Sequence, residues 1–222
     1  MKEIEKTVDV NDVDLDIYSG PIGISCSGGA DSAILLYHLM KNKTDNKIYI
    51  FSTGNHEKRR LNIPVATTVV EKCIQLTGNS NIEHHITYAD EQDNASLFGK
   101  LDYYFDNKLI NIVYTGVTEN PPSIVTSKFL EEVTEPEREA DIGVKPTIHY
   151  NKFYTPWINI NKLKIAEMYN KENLMEDLYP YTRSCEYNHN NRFFANIEDP
   201  GLGHCGVCWW CEERKWAFGK LQ

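Results

Sequence analysis

The segment at residues 22–32, IGISCSGGADS, limits the fold of this chain more than any other stretch. It predicts a short buried strand, a turn that contains Gly28 and Gly29, and a helix that begins near Asp31 and continues through apolar residues to Met40. Glycines let the backbone approach a ligand closely, and the first amide groups of a helix have no partner within the helix. The segment therefore predicts a phosphate-binding loop at a helix N-terminus.

This loop differs from two other phosphate-binding motifs. No lysine follows its glycines, as in the Gly-x-x-x-x-Gly-Lys-Ser/Thr loop, and it is not the three-glycine dinucleotide fingerprint. Ser27 and Ser32 supply hydroxyl donors. Asp31 would repel a phosphate directly but can hold Mg²⁺ beside a triphosphate, and capping the helix is the alternative role for it. Cys26 ends a buried strand, which predicts packing rather than reactivity.

Length and charge narrow the class of protein. A chain of 222 residues can form one substantial core and carry a small appendage. Its net charge of −9 argues against a broad nucleic-acid surface, because phosphate contacts need clustered Lys and Arg, and it favours a small-molecule substrate. The sequence has neither a membrane-spanning apolar run nor the apolar core of a signal peptide, so we expect a cytoplasmic protein without a membrane partner.

The rest of the chain predicts alternating strands and helices. Strands are expected at 47–52, 82–88 and 109–114, and helices near 64–74, 95–105 and 160–169. This alternation predicts an α/β fold with a doubly wound parallel sheet, whose ligands gather at the carboxyl ends of the strands. Residues 1–20 are expected to add an edge strand or to lie across the core. We predict an α/β domain at 1–175 that carries the phosphate-binding loop, with a substrate-facing insertion at 119–156, and a metal-binding region at 176–222.

Four of the six cysteines have the spacing of a metal site. Cys205, Cys208 and Cys211 lie three residues apart, and Cys185 can supply a fourth thiolate. Four soft ligands are typical of structural Zn²⁺, which would stabilise a tail too short to form its own core. An iron–sulfur cluster uses the same ligands and is the main alternative.

Other candidates lie near the predicted strand ends. Gly54 and His56 follow the second strand of the sheet, and Gly116 follows the fourth. Lys162 begins a predicted helix, where a cation can neutralise charge on an α-phosphate; simple solvation is the alternative. Arg214 can pair with a phosphate or with a carboxylate of the tail.

Two motifs together resemble a known family. SGGADS at 27–32 resembles the signature of the PP-loop ATP pyrophosphatases, and the tail carries TRSC at 182–185 and CGVCWWCEER at 205–214. The combination is similar to the 7-cyano-7-deazaguanine synthase (preQ0 synthase) family. Gly54, His56, Gly116 and a Thr155-Pro156 pair that leads to Lys162 match further positions, so the resemblance extends over nearly the whole chain.

The resemblance implies an adenine nucleotide alpha hydrolase-like, Rossmann-like fold with a zinc-binding helical tail. It implies a ligase of queuosine biosynthesis that uses ATP, Mg²⁺ and structural zinc, usually as a homodimer, and converts 7-carboxy-7-deazaguanine and ammonia to the nitrile. We therefore assign catalysis to Asp31, Ser32 and Lys162. Nucleotide binding is assigned to the loop and to the strand ends, namely Ser27, Gly28, Gly29, Ala30, Asp31, Ser32, Gly54, His56 and Gly116, and zinc to Cys185, Cys205, Cys208 and Cys211.

Some segments depart from the family pattern. TENPPS at 118–123 replaces the family's acidic and aromatic run, and QDNA at 92–95 stands near the expected Pro-x-Arg-Asn. These segments concern the acceptor rather than ATP, so a different carboxylate or amide acceptor stays open. Two further alternatives are a tRNA-thiolating enzyme and a non-catalytic nucleotide-sensing zinc module that docks through Trp209 and Trp210.

Overall fold

A computed structural model describes residues 2–43, 45–54, 61–88, 101–122, 125, 145–185, 204–206 and 208–222. The chain begins with an antiparallel hairpin of β1 (Ile4–Asp9) and β2 (Asp14–Tyr18). The strands that follow are β3 (Ile22–Ser25), β4 (Ile48–Gly54), β5 (Ile82–Tyr88), β6 (Ile112–Thr115), β7 (Thr147–His149) and β8 (Phe153–Thr155). The helices are α1 (Ala30–Asn42), α2 (Asn62–Thr77), α3 (Lys162–Lys171) and α4 (Trp209–Phe218), with a 3₁₀ turn at Tyr179–Tyr181.

Within the described ranges, six strands form one sheet in the order β5-β4-β3-β6-β8-β7. All neighbours run parallel except β7, which pairs antiparallel with β8 at the edge. The chain moves outward from β3 through β4 to β5 and then returns to the other side of β3 at β6. This reversal makes a topological switch point between β3 and β6, where open α/β sheets bind ligands. The predicted doubly wound α/β fold is confirmed.

Helical residues cover both faces of this sheet. The larger core contains apolar residues of α1, α2 and α3 together with Ile22 and Ile24 of β3 and Ile50 of β4. A smaller core on the other face joins Phe51 and Val113 to Leu101, which belongs to a helical segment at 101–106. The segment 89–100, which includes the start of the predicted helix at 95–105, lies outside the described residues.

Helix α1 is buried along almost its whole length. Every residue from Ser32 to Met40 is buried, because α1 packs against the sheet on one side and against α2 and α3 on others. An enclosed helix of this kind needs no polar face, which explains its apolar sequence. Helix α2 carries Pro64 in its first turn and ends at Gly78, whose φ of +70 suits a left-handed C-cap.

One part of the sheet differs from the sequence prediction, and the N-terminal residues fit one of the two alternatives expected for them. Strands β7 and β8 lie inside the segment 119–156 that we predicted as an insertion, yet they complete the main sheet. Residues 1–20 form a separate hairpin rather than an edge strand, and Leu15, Ile17 and Tyr18 lie across the larger core. The backbone amide of Tyr18 donates to the buried hydroxyl of Tyr114, which anchors the hairpin to β6.

In the described part of the chain, no helix combines the length and apolar character that crossing a membrane requires.

Candidate functional site

The loop between β3 and α1 is closed by its own serine side chains. The amide of Gly29 donates to Ser27 Oγ at 3.3 Å, and Ser32 Oγ donates to the Gly29 carbonyl at 3.1 Å. Gly29 is the N-cap of α1 and provides no side-chain cap, and Asp31 is the second residue of the helix. Asp31 is therefore not the N-cap, and its carboxylate is directed elsewhere. The hydroxyls and the first helical amides share one small region, as anion binding requires.

Two glycines allow backbone segments to meet at this loop. A Cβ on Gly28, whose φ is +80, would lie 2.8 Å from the backbone nitrogen of Ala66. A Cβ on Gly116 would lie 2.9 Å from the backbone nitrogen of Ser32. The loop after β6 therefore rests directly on the first turn of α1, and only glycine permits this approach.

A cavity of about 190 Å³ lies at the switch point. Its walls come from the loop between β3 and α1, the loop after β6, the starts of α2 and α3, and the tail. The lining residues are, in that order, Ser27, Gly29 and Asp31; Gly116, Val117 and Thr118; Asn62; Lys162; and Arg183, Ser184, Cys185 and Trp210. The cavity thus brings the predicted phosphate loop, the predicted lysine and one predicted metal ligand together.

Lys162 lies between two carboxylates. Its Nζ is 3.0 Å from Asp31 Oδ2 and 2.9 Å from Glu213 Oε2, and the Lys162 and Glu213 side chains are 2% and 0% exposed. Asp31 keeps its second oxygen, Oδ1, buried and without a hydrogen-bond partner among the described residues. An unpaired buried carboxylate oxygen is costly unless a ligand satisfies it. A carboxylate oxygen beside a phosphate loop fits a Mg²⁺ ion bound together with ATP.

The four cysteines of the tail converge. The sulfur atoms of Cys185, Cys205, Cys208 and Cys211 all lie within 4.8 Å of one another. Cys205 Sγ is 3.9 Å from Cys211 Sγ, and Cys208 Sγ is 3.8 Å from Cys185 Sγ. Four thiolates bound to one tetrahedral ion at the usual Zn–S distance would be separated by about 3.8 Å. In a four-iron cluster each thiolate binds a different iron atom, which spreads the sulfurs further apart, so the observed spacing fits a single ion better.

The tail is also part of the cavity wall. The amide of Arg183 donates to the Gly28 carbonyl at 2.9 Å, which fixes the chain just before Cys185 against the phosphate loop. Cys211, near the start of α4, is two residues before Glu213. One metal ion would therefore stabilise both the wall at residues 183–185 and the helix that carries the carboxylate partner of Lys162.

The surroundings of Arg214 and Cys26 are those of residues with structural roles. Arg214 is fully buried, stacks 3.9 Å above the Tyr179 ring, and donates to the Tyr179 carbonyl and to the Thr182 hydroxyl. It holds the chain that leads to Cys185, and the phosphate or carboxylate contact we considered is not among its described contacts. Burial raises the pKa of the Cys26 thiol to about 11, so this group stays protonated at neutral pH.

The remaining predicted residues occupy different places. Gly54 ends β4 at the same edge of the sheet but is not among the described residues that line the cavity. His56 lies outside the described residues. Glu213 and Arg183 contribute to the site and were not predicted as site residues, since their roles depend on how the tail folds back onto the loop.

The fold and the site together define an α/β protein with a doubly wound sheet, a glycine-rich strand-to-helix loop at its switch point and a four-cysteine cluster beside it. No family model matches the chain, and no curated protein matches it. Among solved structures, NMN synthetase from Francisella tularensis is similar, with a TM-score of 0.39 and 15% identity. The match covers 68% of this chain and 61% of the synthetase, so this chain spans less than two thirds of the length of the synthetase. The U34-tRNA thiolase NcsA from Methanococcus maripaludis, solved with its 4Fe–4S cluster, has a TM-score of 0.44 and 15% identity, with 90% of this chain and 70% of that one covered. At these values neither similarity bears on function.

Proposed function

We propose that this protein is a PP-loop ATP pyrophosphatase, which binds MgATP at the switch point and transfers its adenylyl group to a small acceptor. The observation that carries the proposal is the buried, unpartnered Oδ1 of Asp31, a residue that lines the same cavity as Ser27 and Gly29. The loop would bind the β- and γ-phosphates through backbone amides and the two serine hydroxyls. Mg²⁺ bound with ATP would neutralise phosphate charge and would be held by Asp31.

Lys162 has a double role in this proposal. An ammonium group has three N–H donors, and two of them serve Asp31 and Glu213. The third can contact a phosphate oxygen, because Lys162 lines the cavity. A buried, already positioned cation stabilises the charge that develops on the α-phosphate without a cost of reorganisation at the moment of reaction. Glu213 positions Lys162 and would not touch the nucleotide.

The proposed reaction begins with adenylation of the acceptor. An oxygen of the acceptor carboxylate forms a bond to the α-phosphorus, and the bond from that phosphorus to the bridging oxygen breaks, so pyrophosphate leaves with the electron pair. The nitrogen of ammonia then attacks the acyl carbon, AMP leaves, and loss of a proton gives the amide. The amide oxygen then attacks the α-phosphorus of a second ATP, and pyrophosphate leaves. AMP departs with that oxygen, two protons are lost from the nitrogen, and a nitrile results. The protein orients the reactants and stabilises charge.

We further propose that the acceptor is 7-carboxy-7-deazaguanine or a closely related carboxylate. This assignment is supported by the tail motifs at 182–185 and 205–214, which the sequence shares with the deazaguanine synthase family. The proposal includes ammonia as the second substrate, a homodimeric assembly and a cytoplasmic location, as the same resemblance implies. The segment at 118–123 differs from the family, so the acceptor needs its own experiment.

The test is a product analysis with matched variants. Wild-type protein with MgATP, ammonium and 7-carboxy-7-deazaguanine should release AMP and pyrophosphate and form the amide or nitrile, detected by mass spectrometry. Asp31→Asn keeps the shape of the side chain but removes its charge, and it should reduce pyrophosphate release by roughly two orders of magnitude or more. Asp45→Asn is the control, because Asp45 is 59% exposed. Release of ADP and phosphate, or equal rates in the two variants, would contradict adenylation at this site, whereas pyrophosphate release without a deazaguanine product would contradict only the acceptor.

A further inference from the structure

The chain just before Cys185 lies directly on the glycine-rich loop. The backbone amide of Arg183 donates to the Gly28 carbonyl at 2.9 Å, and a Cβ on Gly29 would lie 3.8 Å from the Arg183 carbonyl oxygen. Both glycines of the loop therefore have the Arg183 backbone as a neighbour. The side chain of Arg183 begins beside the loop to which the proposed function assigns the β- and γ-phosphates.

The Arg183 side chain has a defined contact in the wall of the cavity. Its Nη1 donates to the Cys185 carbonyl at 2.5 Å, and both residues line the cavity of about 190 Å³ that Lys162 also lines. A guanidinium presents five N–H donors in a planar fork that matches phosphate oxygens, so one group can hold a carbonyl and a phosphate together. Arg183 is thus a second cation, besides Lys162, among the described residues of this cavity.

The charges around Lys162 favour a second cation. Lys162 lies 3.0 Å from Asp31 and 2.9 Å from Glu213, so this cluster of one cation and two carboxylates has a net charge of −1. The cluster is largely shielded from solvent, and a triphosphate would meet its negative charge with little screening. The guanidinium of Arg183 neutralises this excess, so the cavity can accept a polyanion together with Mg²⁺.

We infer that Arg183 is a further catalytic residue, which binds the β- and γ-phosphates of ATP and stabilises the pyrophosphate that leaves. This inference rests on the proposed function and assigns the two cations to different parts of the nucleotide. Arg183 is hydrogen-bonded to the glycine-rich loop, whereas Lys162 contacts Asp31 and serves the α-phosphate. As the bond to the bridging oxygen breaks, negative charge grows on the departing pyrophosphate, and a positioned cation beside it lowers the barrier.

The experiment uses the leaving group itself as a probe. Calorimetry would measure the binding of MgATP and of magnesium pyrophosphate to wild-type protein, Arg183→Gln and Arg183→Lys. We expect Arg183→Gln to weaken both ligands by the same factor, roughly tenfold or more, because pyrophosphate is the part of ATP that Arg183 contacts. Arg183→Lys keeps the charge and should retain more of both affinities. Pyrophosphate release in the product assay should follow the same order.

A matched control and a metal analysis exclude a purely structural effect. Lys215 also donates to a carbonyl of the tail, that of Gly206 at 2.5 Å, but its side chain is 43% exposed and it is not among the described residues that line the cavity. Lys215→Gln should therefore change neither affinity. The metal content of Arg183→Gln should equal that of the wild type.

Several outcomes would overturn the inference. Unchanged pyrophosphate binding in Arg183→Gln, or equal losses in Arg183→Gln and Arg183→Lys, would mean that the charge of Arg183 does not serve the phosphates. Loss of metal together with affinity would give Arg183 a structural role only, and wild-type protein that binds MgATP but not magnesium pyrophosphate would also contradict the assignment. Failure of the proposed function differs from these outcomes, because it is a wild-type protein that does not bind MgATP or that releases ADP.

Discussion

Glu213 Oε2 lies 2.9 Å from Lys162 Nζ, and neither side chain is accessible to more than a trace of solvent. Glu213 belongs to the tail helix α4 and Lys162 begins α3, so this pair joins the four-cysteine tail to the cavity. Because Lys162 also contacts Asp31 at 3.0 Å, a change in the tail reaches the phosphate loop through one cation.

Glu213→Gln should weaken both stability and activity. The variant removes a buried negative charge and leaves Lys162 with one carboxylate, and breaking a buried ion pair of this kind costs about 3 kcal/mol of unfolding free energy. We expect a matching fall in pyrophosphate release, since Lys162 loses the group that positions it. Urea unfolding and the product assay measure the two effects. The control is Glu212→Gln, whose partner Lys215 lies 3.2 Å away near the surface, and it should cost less than about 1 kcal/mol.

Replacing both members of the pair separates these effects. Lys162→Met combined with Glu213→Leu removes the two inaccessible charges but leaves Asp31, which is 18% exposed, without its cation. Its stability should therefore recover only in part relative to Glu213→Gln, while activity should stay low. If the double variant were active, Lys162 would have no role at the nucleotide.

Gly116→Ala should disrupt the nucleotide site specifically. Its Cβ would meet the Ser32 backbone nitrogen at 2.9 Å and the Ser32 Cα at 3.0 Å, so the loop after β6 must move away from α1. We expect the affinity for MgATP to fall by roughly tenfold or more. Gly78→Ala is the matched control: no atom lies within 4 Å of its Cβ, but its φ of +70 makes alanine unfavourable by about 1 kcal/mol. Calorimetry with MgATP should separate the two variants, and an unaffected Gly116→Ala would contradict the proposed site.

Metal analysis should find a single zinc ion for each chain, in a protein without visible absorption. The sulfur spacing fits one tetrahedral ion, and the ion should hold Cys185 in the wall of the cavity. Chelation or Cys185→Ser should therefore reduce MgATP affinity and remove metal together. Cys73→Ala removes a buried cysteine of the core instead and should keep the metal. A brown protein with iron and sulfide would overturn the zinc assignment.

His38 should make the protein less stable in acid. Burial in α1 lowers the pKa of this histidine from 6.5 to about 4, so the unfolded chain takes up a proton near pH 6.5 that the folded protein takes up only near pH 4. The stabilisation is therefore complete above pH 6.5 and is lost as the pH falls toward 4, by up to about 3 kcal/mol. Urea unfolding at pH 7 and 4.5 should show a steeper loss for the wild type than for His38→Gln. Equal losses would mean that another group controls the acid sensitivity.

Local patterns predicted the parts of this protein that depend on neighbours in sequence. The strand, glycine turn and helix at 22–42 follow from residue types at fixed spacing, and so does the convergence of Cys205, Cys208 and Cys211 on one point. The parallel, doubly wound character of the sheet followed from the alternation of strands and helices.

Other parts depend on tertiary placement, which a single sequence does not reveal. Strands β7 and β8 have three residues each, too few for a periodic pattern, and they owe their position to pairing with β6. Glu213 looks like an ordinary acid on a surface helix, and Arg183 like an ordinary base. Only the fold shows that one meets Lys162 and that the other donates to Gly28.

The hydrogen bond from Arg183 to Gly28 joins residues that leave the ribosome at very different times. A nascent chain in which only the residues before the tail had folded would display the glycine-rich loop but not the wall that encloses it. Under the proposed function, ATP turnover would then await docking of the tail and binding of its metal ion, so immature chains would be spared the futile consumption of ATP.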